Sequence, residues 1–184
     1  MTINNVSLTH HHGEEAAALL KELCDTYADA YGVKPGEEKA AAFRRRAAKQ
    51  FTRPGFALVT ARAGGRLVGF VFGYTLPAGD TRWWGGVQPE PTPEFLEETG
   101  SRTWVLSEIE VRRAWQAKGV GRTLHDAALS ARGEERATLA TGPDAAAQPV
   151  YESWGWRRVG RIPGDEGDYY SAYDLFVLEL PVSR

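Results

Sequence analysis

The amino-acid sequence predicts an α/β fold with a mixed sheet, and three observations lead to this prediction. Segments with apolar residues at helical spacing alternate with short β-rich segments along the 184 residues. Two of the early β-rich segments flank Gly64-Gly65, a pair typical of a tight hairpin turn. Later β-rich segments are separated by helical segments. We therefore expect a sheet that is antiparallel at hairpins and parallel across helical crossovers.

Length and composition restrict the classes of protein to which the chain can belong. A chain of 184 residues can form one well-buried domain but not two ordinary ones, so we expect a single domain over 1–184. With 42% hydrophobic and 25% charged residues it is typical of soluble globular proteins, and a net charge of -2 attracts neither nucleic acid nor an anionic membrane. Cys24 is the only cysteine, which excludes an internal disulfide. Residues 1–30 lack a signal-peptide pattern, and we expect a cytoplasmic protein.

The first half of the chain contains two predicted helices followed by a hairpin. Helical spacing of apolar residues predicts one helix within 14–31 and a second within 36–51. Two strands then flank Gly64-Gly65. The second of them alternates large residues with Gly69 and Gly73, which leaves one face open to close approach of backbone.

The second half begins with a long connection and continues with alternating strands and helices. Residues 77–103 hold several prolines and a predicted short helix with Thr92 as N-cap and Gly100 past its end, and so long an insertion in a compact domain is usually functional. The remaining elements are predicted in the order strand 103–111, helix 120–135, strand 137–141, helix 145–154, strand 156–161 and strand 173–180.

The segment QAKGVGR, from Gln116 to Arg122, lies between a predicted strand and a predicted helix. Free N–H groups and the positive end of the helix dipole make such a position suited to a phosphate or pyrophosphate. Glycine is needed there because a Cβ would hold an anion off the backbone, and Lys118 and Arg122 add positive charge. The alternative is that Gly119 and Gly121 only shape a loop.

Comparison with three known phosphate-binding loop patterns indicates which phosphate-containing ligand the segment would bind. The pattern G-x-x-x-x-G-K-[ST] is absent, and the dinucleotide pattern G-x-G-x-x-G fails at Leu124, which argues against a nucleotide-binding module. The acyl-coenzyme A pattern [QR]-x-x-G-x-[GA] is matched throughout by Gln116–Gly121. The segment VYESWGW, Val150 to Trp156, looks like a second signature, Y-E-x-x-G-[FW]. With both motifs in this order of elements, the sequence resembles the GCN5-related N-acetyltransferase (GNAT) family over roughly Val6 to Leu180.

This resemblance implies a fold, a cosubstrate and a reaction. The implied fold is a mixed, mostly antiparallel sheet with splayed central strands, flanked by helices. The implied function is acetyl-CoA-dependent transfer of an acetyl group to a primary amine of a small molecule or peptide, by direct attack in a ternary complex and without a metal. The alternative is a non-catalytic acyl-CoA-binding or regulatory domain, which needs no acid or base. The residues implied to bind acetyl-CoA are Ile109, Val111, Gln116, Ala117, Lys118, Gly119, Val120, Gly121, Arg122, Asp144 and Tyr151.

Three residues are candidates for proton transfer, and one residue departs from the family pattern. Tyr151 occupies the position of the usual general acid, with a packed aromatic as the alternative. Glu108 and Glu110 lie on the strand before the loop and share a face unless a bulge intervenes. We favour Glu108 as the base, with Glu110 or water as alternatives. Asp144 stands where the family often has asparagine, although an aspartate can still cap the next helix.

The acceptor side is expected to involve the first two helices, the 77–103 connection and the loop 164–170. Aromatic faces in both loops would bind the cationic or apolar body of an amine, and loop carboxylates, among them Glu98, would attract it. The aromatic residues are Trp83, Trp84, Tyr169 and Tyr170. The alternative is that both loops are solvated and that the tryptophans cover the sheet edge or a homodimer contact.

Other candidates carry less weight. The run His10-His11-His12 lacks the spacing of metal ligands, so we expect a solvated segment. His125 adjoins the apolar stripe of its helix and is expected to face solvent. Cys24 lies on the apolar side of the first helix and is expected in the core.

Overall fold

A computed structural model of the chain describes residues 5–166 and 168–181. The chain forms two compact units: unit 1 comprises the described residues up to Tyr74 together with Leu106–Ala131, and unit 2 comprises Thr75–Val105 together with the described residues from Arg132 onward. The helices and strands are β1 (Val6–His11), α1 (Gly13–Ala18), α2 (Leu20–Tyr31), α3 (Glu38–Gln50), β2 (Ala57–Ala63), β3 (Arg66–Thr75), α4 (Pro93–Leu96), β4 (Thr103–Val111), α5 (Val120–Ser130), β5 (Arg136–Thr141), α6 (Gln148–Ser153), β6 (Arg157–Pro163) and β7 (Ala172–Glu179).

The strands form one seven-stranded sheet in the order β1-β2-β3-β4-β5-β7-β6. The pairs β1–β2, β2–β3, β5–β7 and β6–β7 are antiparallel, and β4–β5 is parallel. The predicted fold class, a mixed and mostly antiparallel sheet flanked by helices, is thereby confirmed. The single domain over 1–184 remains a prediction, and residues 1–4, 167 and 182–184 of that range lie outside the described residues.

The strand β1 is an element that the sequence analysis missed. It pairs antiparallel with β2, placing His10 opposite Val59 and His11 opposite Leu58. His11 is partly buried, and its Nε2 lies 2.9 Å from Thr60 Oγ1. The expected solvated segment is therefore wrong at His11, whereas His10, although part of the strand, is exposed as expected. The strand was missed because it has only two apolar residues, and its partner β2 is distant in sequence.

The core of unit 1 is an aromatic cluster between the helices and the hairpin. Phe43 on α3 is fully buried and stacks on Tyr27 of α2 at 4.1 Å between ring centroids, and it also contacts Phe70 and Phe72 of β3. Cys24 is partly buried against this cluster, in agreement with its predicted core position. Burying a side chain such as Phe43 contributes about 1.5–3 kcal/mol, so the cluster fixes α2 and α3 on the sheet.

The position of His125 on helix α5 contradicts one prediction. His125 was expected to face solvent, but it is fully buried beside Leu124 and Leu129. Burial lowers the pKa of His125, while the Asp126 carboxylate, with Oδ1 2.8 Å from Nδ1, opposes this effect. The imidazole extends the apolar stripe of the helix because one of its nitrogens reaches a carboxylate at the surface.

Two absences apply to the described part of the chain. None of its helices is both long and apolar enough to span a bilayer. Over residues 5–166 and 168–181, no three His, Cys, Asp or Glu side chains are grouped so that they could hold a metal ion.

Candidate active site

The end of β4 offers backbone N–H groups along one edge. The parallel pairing of β4 covers Thr103–Val105, and the strand continues to Val111. Arg112 N–H donates to Val68 O of β3 at 2.9 Å. Because backbone groups of successive strand residues point to opposite edges, the N–H groups of Val111 and Ile109 point away from β3. The sequence analysis named the same two residues among those implied to bind acetyl-CoA.

The loop after β4 turns sharply before α5. Ala117 has φ 55° and Gly119, the N-cap of α5, has φ 84°, a conformation that glycine adopts without strain. Helix α5 begins at Val120, so the N–H groups of its first turn have no acceptor one helical turn earlier. These groups, together with the helix dipole, suit a doubly charged anion such as a pyrophosphate.

The loop side chains are anchored locally. Gln116 Nε2 donates to Val111 O at 2.9 Å, which ties the loop to the end of β4. Lys118 Nζ donates to Ala114 O at 2.6 Å, and Arg122 Nε pairs with Asp126 Oδ2 at 2.8 Å on an exposed helix face. An exposed pair of this kind contributes less than about 1 kcal/mol, so Arg122 can change partner at small cost.

Helix α2 is attached to the segment before this loop, a connection that the sequence analysis missed. Asp29 Oδ1 accepts from Arg113 N–H at 3.0 Å, and its Oδ2 lies 3.5 Å from Arg112 Nη1. Gly32 ends α2 with φ 67°, and a Cβ at this position would lie 3.2 Å from the Arg113 guanidinium. The carboxyl end of α2 and the loop are therefore held together within unit 1.

Glu108 and Glu110 face one group of side chains from α2 and α3, as the i, i+2 spacing predicts for a regular strand. Arg46 donates through both Nε, at 2.9 Å, and Nη2 to Glu108 Oε1. Burial raises the pKa of the Tyr31 hydroxyl, and the neighbouring Glu110 carboxylate raises it further. The two carboxylates thus share a face and differ in partner.

The surroundings of Glu108 and Glu110 shift the pKa values of their carboxyl groups to different extents. Burial raises the pKa of both. The Arg46 guanidinium opposes this effect at Glu108, whereas the neighbouring Glu108 carboxylate raises the pKa of Glu110 further, to well above its usual range. Glu110 is therefore the more basic of the two.

Aromatic rings and a lysine complete this group. Tyr27 and Tyr31 lie one helical turn apart on α2 with ring centroids 4.6 Å apart, and burial raises the pKa of Tyr27 to about 12. Lys39 Nζ lies 3.5 Å from the centroid of the Tyr31 ring. We call Tyr27, Tyr31, Lys39, Arg46, Glu108 and Glu110 the Tyr31 cluster. The sequence analysis had placed Tyr27 and Tyr31 only within the first predicted helix, 14–31.

In unit 2, the second signature ends helix α6 and fixes Tyr151. Gly155 has φ 93°, its N–H donates to Glu152 O, and the N–H of Trp156 donates to Tyr151 O. This is a Schellman motif, which requires a residue in the left-handed conformation and explains the glycine. Tyr151 is partly buried, with its ring 6.3 Å from that of Trp156 and 6.1 Å from that of Trp154.

The expected cap at Asp144 is wrong. Helix α6 begins at Gln148, its N-cap is Ala147, and Asp144 is exposed. The turn is held instead by Gln148, whose Nε2 donates to Gly142 O, Pro143 O and Asp174 Oδ2 at 2.8, 3.2 and 3.0 Å. The carbonyl groups of this turn are therefore bound by the Gln148 side-chain amide. Asp144 does not cap α6 because residues 145–147 separate it from the first residue of the helix.

The predicted acceptor residues Trp83 and Trp84 are held by the interior of unit 2. Trp84 is 3% exposed, and its Nε1 donates to Glu98 Oε1 at 2.9 Å. Glu98 is itself buried and pairs with Arg136 at 2.9 Å, so its expected role in attracting an amine is corrected to a structural one. Trp83 is partly buried and donates from Nε1 to Thr138 Oγ1 at 3.1 Å. These contacts favour the structural alternative for Trp84.

The other two predicted acceptor residues lie at the surface. Tyr169 is 72% and Tyr170 37% exposed. The Tyr170 ring covers Gly142, where a Cβ would approach the ring to 2.6 Å. Gly167, in the same predicted loop, lies outside the described residues.

Comparison with known proteins identifies the family. A sequence profile described as the acetyltransferase (GNAT) family matches residues 17–156. The chain belongs to the GNAT acetyltransferase family. The matched GNAT region contains both signatures, the loop at Gln116–Gly121 and the segment Val150–Trp156. A search of curated proteins finds no match.

Solved structures support the same GNAT fold. An aminoglycoside 6'-acetyltransferase type Ii is similar at 17% identity and a TM-score of 0.64, covering 97% of this chain and 99% of its own. An aminoglycoside 6'-N-acetyltransferase complexed with coenzyme A has 14% identity and a TM-score of 0.64, covering 97% and 98%. The ribosomal-protein-S18-alanine N-acetyltransferase from Escherichia coli has 16% identity and a TM-score of 0.61, covering 97% and 96%.

Proposed function

We propose that the chain is an acetyl-CoA-dependent N-acetyltransferase that acts on a primary amine by direct attack in a ternary complex. The observation that carries this proposal is the end of β4. There two partly buried carboxylates, backbone donors and an anion-binding loop follow one another within Glu108–Arg122. A base, donors to the thioester oxygen and a site for the cosubstrate together serve amine acetylation, and a domain that only binds acyl-CoA has no use for the carboxylates.

Acetyl-CoA supplies an activated acetyl group in the form of a thioester. The backbone N–H groups at the start of α5 would hold its pyrophosphate, with the loop and its cations (Gln116, Ala117, Lys118, Gly119, Val120, Gly121 and Arg122) completing that site. The N–H groups of Ile109 and Val111 would donate to the thioester carbonyl and stabilise negative charge on its oxygen. Asp144 and Tyr151 remain proposed contacts with the rest of the acetyl-CoA molecule.

We assign the role of base to Glu110 in preference to Glu108. A base works best when its pKa lies near the working pH, and burial beside a second carboxylate raises the pKa of Glu110 in that direction. Glu108 accepts two hydrogen bonds from Arg46, which engage the oxygen it would need. The proposed role of Glu108 is to hold Arg46 and to raise the basicity of its neighbour.

Tyr151 is the proposed acid. Its phenol would donate a proton to the leaving thiolate, and the Schellman motif at Gly155 holds the end of its helix in one conformation. The motif fixes the backbone at Tyr151, and the rings of Trp154 and Trp156 pack against its side chain.

The acceptor is an amine-bearing small molecule or peptide. Two of the similar structures are named for aminoglycoside acetylation and one for acetylation of an alanine of a ribosomal protein, so both kinds of acceptor occur with this fold. Trp83, Tyr169 and Tyr170 stay candidates for contact with the body of the acceptor.

A screen of acceptors tests the proposed function. The protein is incubated with acetyl-CoA and, separately, with an aminoglycoside, a linear diamine and a short peptide with a free amino terminus, and released thiol is measured. We expect thiol release above the rate of hydrolysis with at least one amine. Coenzyme A binding in calorimetry without acceptor-dependent release would instead support the non-catalytic acyl-CoA-binding alternative.

The variant Tyr151→Phe is the matched control for this screen. It removes one oxygen atom and keeps the ring against Trp154 and Trp156. We expect unchanged coenzyme A affinity and a turnover lowered by about 10²–10⁴-fold, the usual contribution of a general acid.

A further inference from the structure

We propose that the Tyr31 cluster binds the ammonium group of an aliphatic primary amine, and that Lys39 occupies this site until such an amine displaces it. The proposal rests on the proposed function, because it names the class of acceptor for the same site. It also makes a claim about binding that can be measured without any turnover.

A cation already lies in the cluster. Lys39 Nζ is 3.5 Å from the centroid of the Tyr31 ring, well within the distance of about 6 Å at which a cation is attracted to an aromatic face. Burial lowers the pKa of Lys39, and the Glu110 and Glu108 carboxylates, Glu110 more strongly, oppose this effect by attracting the ammonium. The position of Lys39 thus shows that the cluster accommodates an alkylammonium group.

The charge balance of the cluster favours a single ammonium. Arg46 neutralises Glu108 through two hydrogen bonds, so the Glu110 carboxylate and the Tyr31 ring are the stronger attractions for Lys39. One carboxylate and one aromatic face complement one positive charge. A dense polycation would meet repulsion from Arg46.

The shape of the occupant is that of an unbranched alkyl chain. Lys39 reaches the Tyr31 ring from the first turn of α3 with four methylene groups, and its side chain is partly buried there. It can rotate outward, since the residues before it, 34–38, are exposed or lie in turns. An external alkylamine that takes its place brings its nitrogen beside Glu110, the proposed base.

Displacement has a predictable cost. A ligand that must first remove an internal competitor binds with an affinity reduced by the fraction of molecules in which the site is open. A cation–π contact at a partly exposed site is worth about 0.5–1 kcal/mol, which corresponds to about 2- to 5-fold in affinity. Removing Lys39 should therefore strengthen amine binding by this factor.

The test titrates n-butylamine, which reproduces the lysine side chain, and follows the NMR signals of the Tyr31 ring without acetyl-CoA. We expect Lys39→Ala to bind n-butylamine about 2- to 5-fold more tightly than the native protein. Lys49→Ala removes the same charge from an exposed position on the same helix and should behave as the native protein. Neutral n-butanol should not compete for the site.

A second readout uses kinetics. With acetyl-CoA saturating, Lys39→Ala should lower the KM for n-butylamine by a similar factor. Equal or weaker amine binding in Lys39→Ala, or signal changes away from Tyr31, would overturn the inference. If the binding result is as expected but no amine is acetylated, the ammonium site stands and the proposed function fails.

Discussion

At the scale of single residues, two glutamates of the site differ in their chemistry because they have different neighbours. Glu108 and Glu110 are two residues apart on one strand, and sequence periodicity correctly placed them on one face. It could not show which was paired, because the partner Arg46 is 62 residues from Glu108 along the chain. Long-range pairing decides the chemistry of a carboxylate, and a periodic pattern carries no information about it.

This difference leads to a prediction about the pH dependence of the reaction. In the native enzyme, kcat/KM should rise with pH as Glu110 loses its proton, at a pH above the usual range of a carboxyl group because its pKa is raised. Glu110→Gln should lower kcat/KM at pH 7 by about 10²–10⁴-fold, with partial recovery at high pH, where the substrate amine loses its proton unaided. The measurement is a pH–rate profile with one acceptor amine.

Glu108→Gln is the matched control for that profile. It changes the neighbouring carboxylate and leaves the proposed base, so it should lower the pH at which activity rises, because Glu110 no longer faces a second negative charge. A loss of the rise in Glu108→Gln, with the rise retained in Glu110→Gln, would return the role of base to Glu108.

At the scale of elements, both signatures could be predicted because each is a local geometry with a local requirement. Gly119, just before α5, and Gly155, just past α6, have φ of 84° and 93°, a conformation that favours glycine. The short helix at Thr92 was likewise predicted, since its cap is local, although it ends at Leu96 and not near Gly100. The strand β1 was missed because its evidence lies in a distant partner.

The first turn of α5 gives a prediction about cosubstrate binding. Gly121→Asp places a carboxylate among the N–H groups proposed to hold the pyrophosphate, and we expect calorimetry to show coenzyme A affinity lowered by more than about 10-fold. An acidic residue in the first turn of a helix is otherwise favourable, so thermal stability should not fall. This combination separates loss of the site from loss of the fold.

Two further variants complete the experiment. Gly121→Ala adds a Cβ without charge and measures the steric part of the effect. Gly133→Asp adds the same charge at an exposed glycine with no atom within 4 Å of its Cβ position, and should bind coenzyme A as the native protein does. Unchanged affinity in Gly121→Asp would contradict the proposed pyrophosphate loop.

At the scale of the whole molecule, the sequence predicted the type of sheet better than it predicted which polar side chains are buried. Hairpins and crossovers follow from local patterns, and the order of strands agreed with them. The roles of Trp84, Glu98 and His125 did not follow, because each buried side chain has a polar partner that the pattern does not reveal. A buried polar residue resembles a surface residue until its hydrogen bonds are known.

The last prediction concerns stability, because a carboxylate kept for catalysis weakens the fold that holds it. The pKa of Glu110 is raised by burial and by Glu108. Below its usual value of about 4.3, the carboxyl is protonated in both the folded and the unfolded chain. As the pH rises from there to the raised folded value, the unfolded chain releases a proton that the folded chain keeps, so the free energy of unfolding falls, and above that value the loss is complete.

Glu110→Gln mimics the neutral carboxyl and should remove this loss. Its melting temperature should differ little from that of the native protein at pH 4 and be higher at pH 8, by roughly 2–4 °C for each kcal/mol of relief. Thermal unfolding at both pH values measures this, with Glu14→Gln, an exposed residue of α1, as the control that removes the same charge. A variant less stable than the native protein at pH 8 would show that ionised Glu110 gains more from Lys39 and Tyr31 than burial costs it.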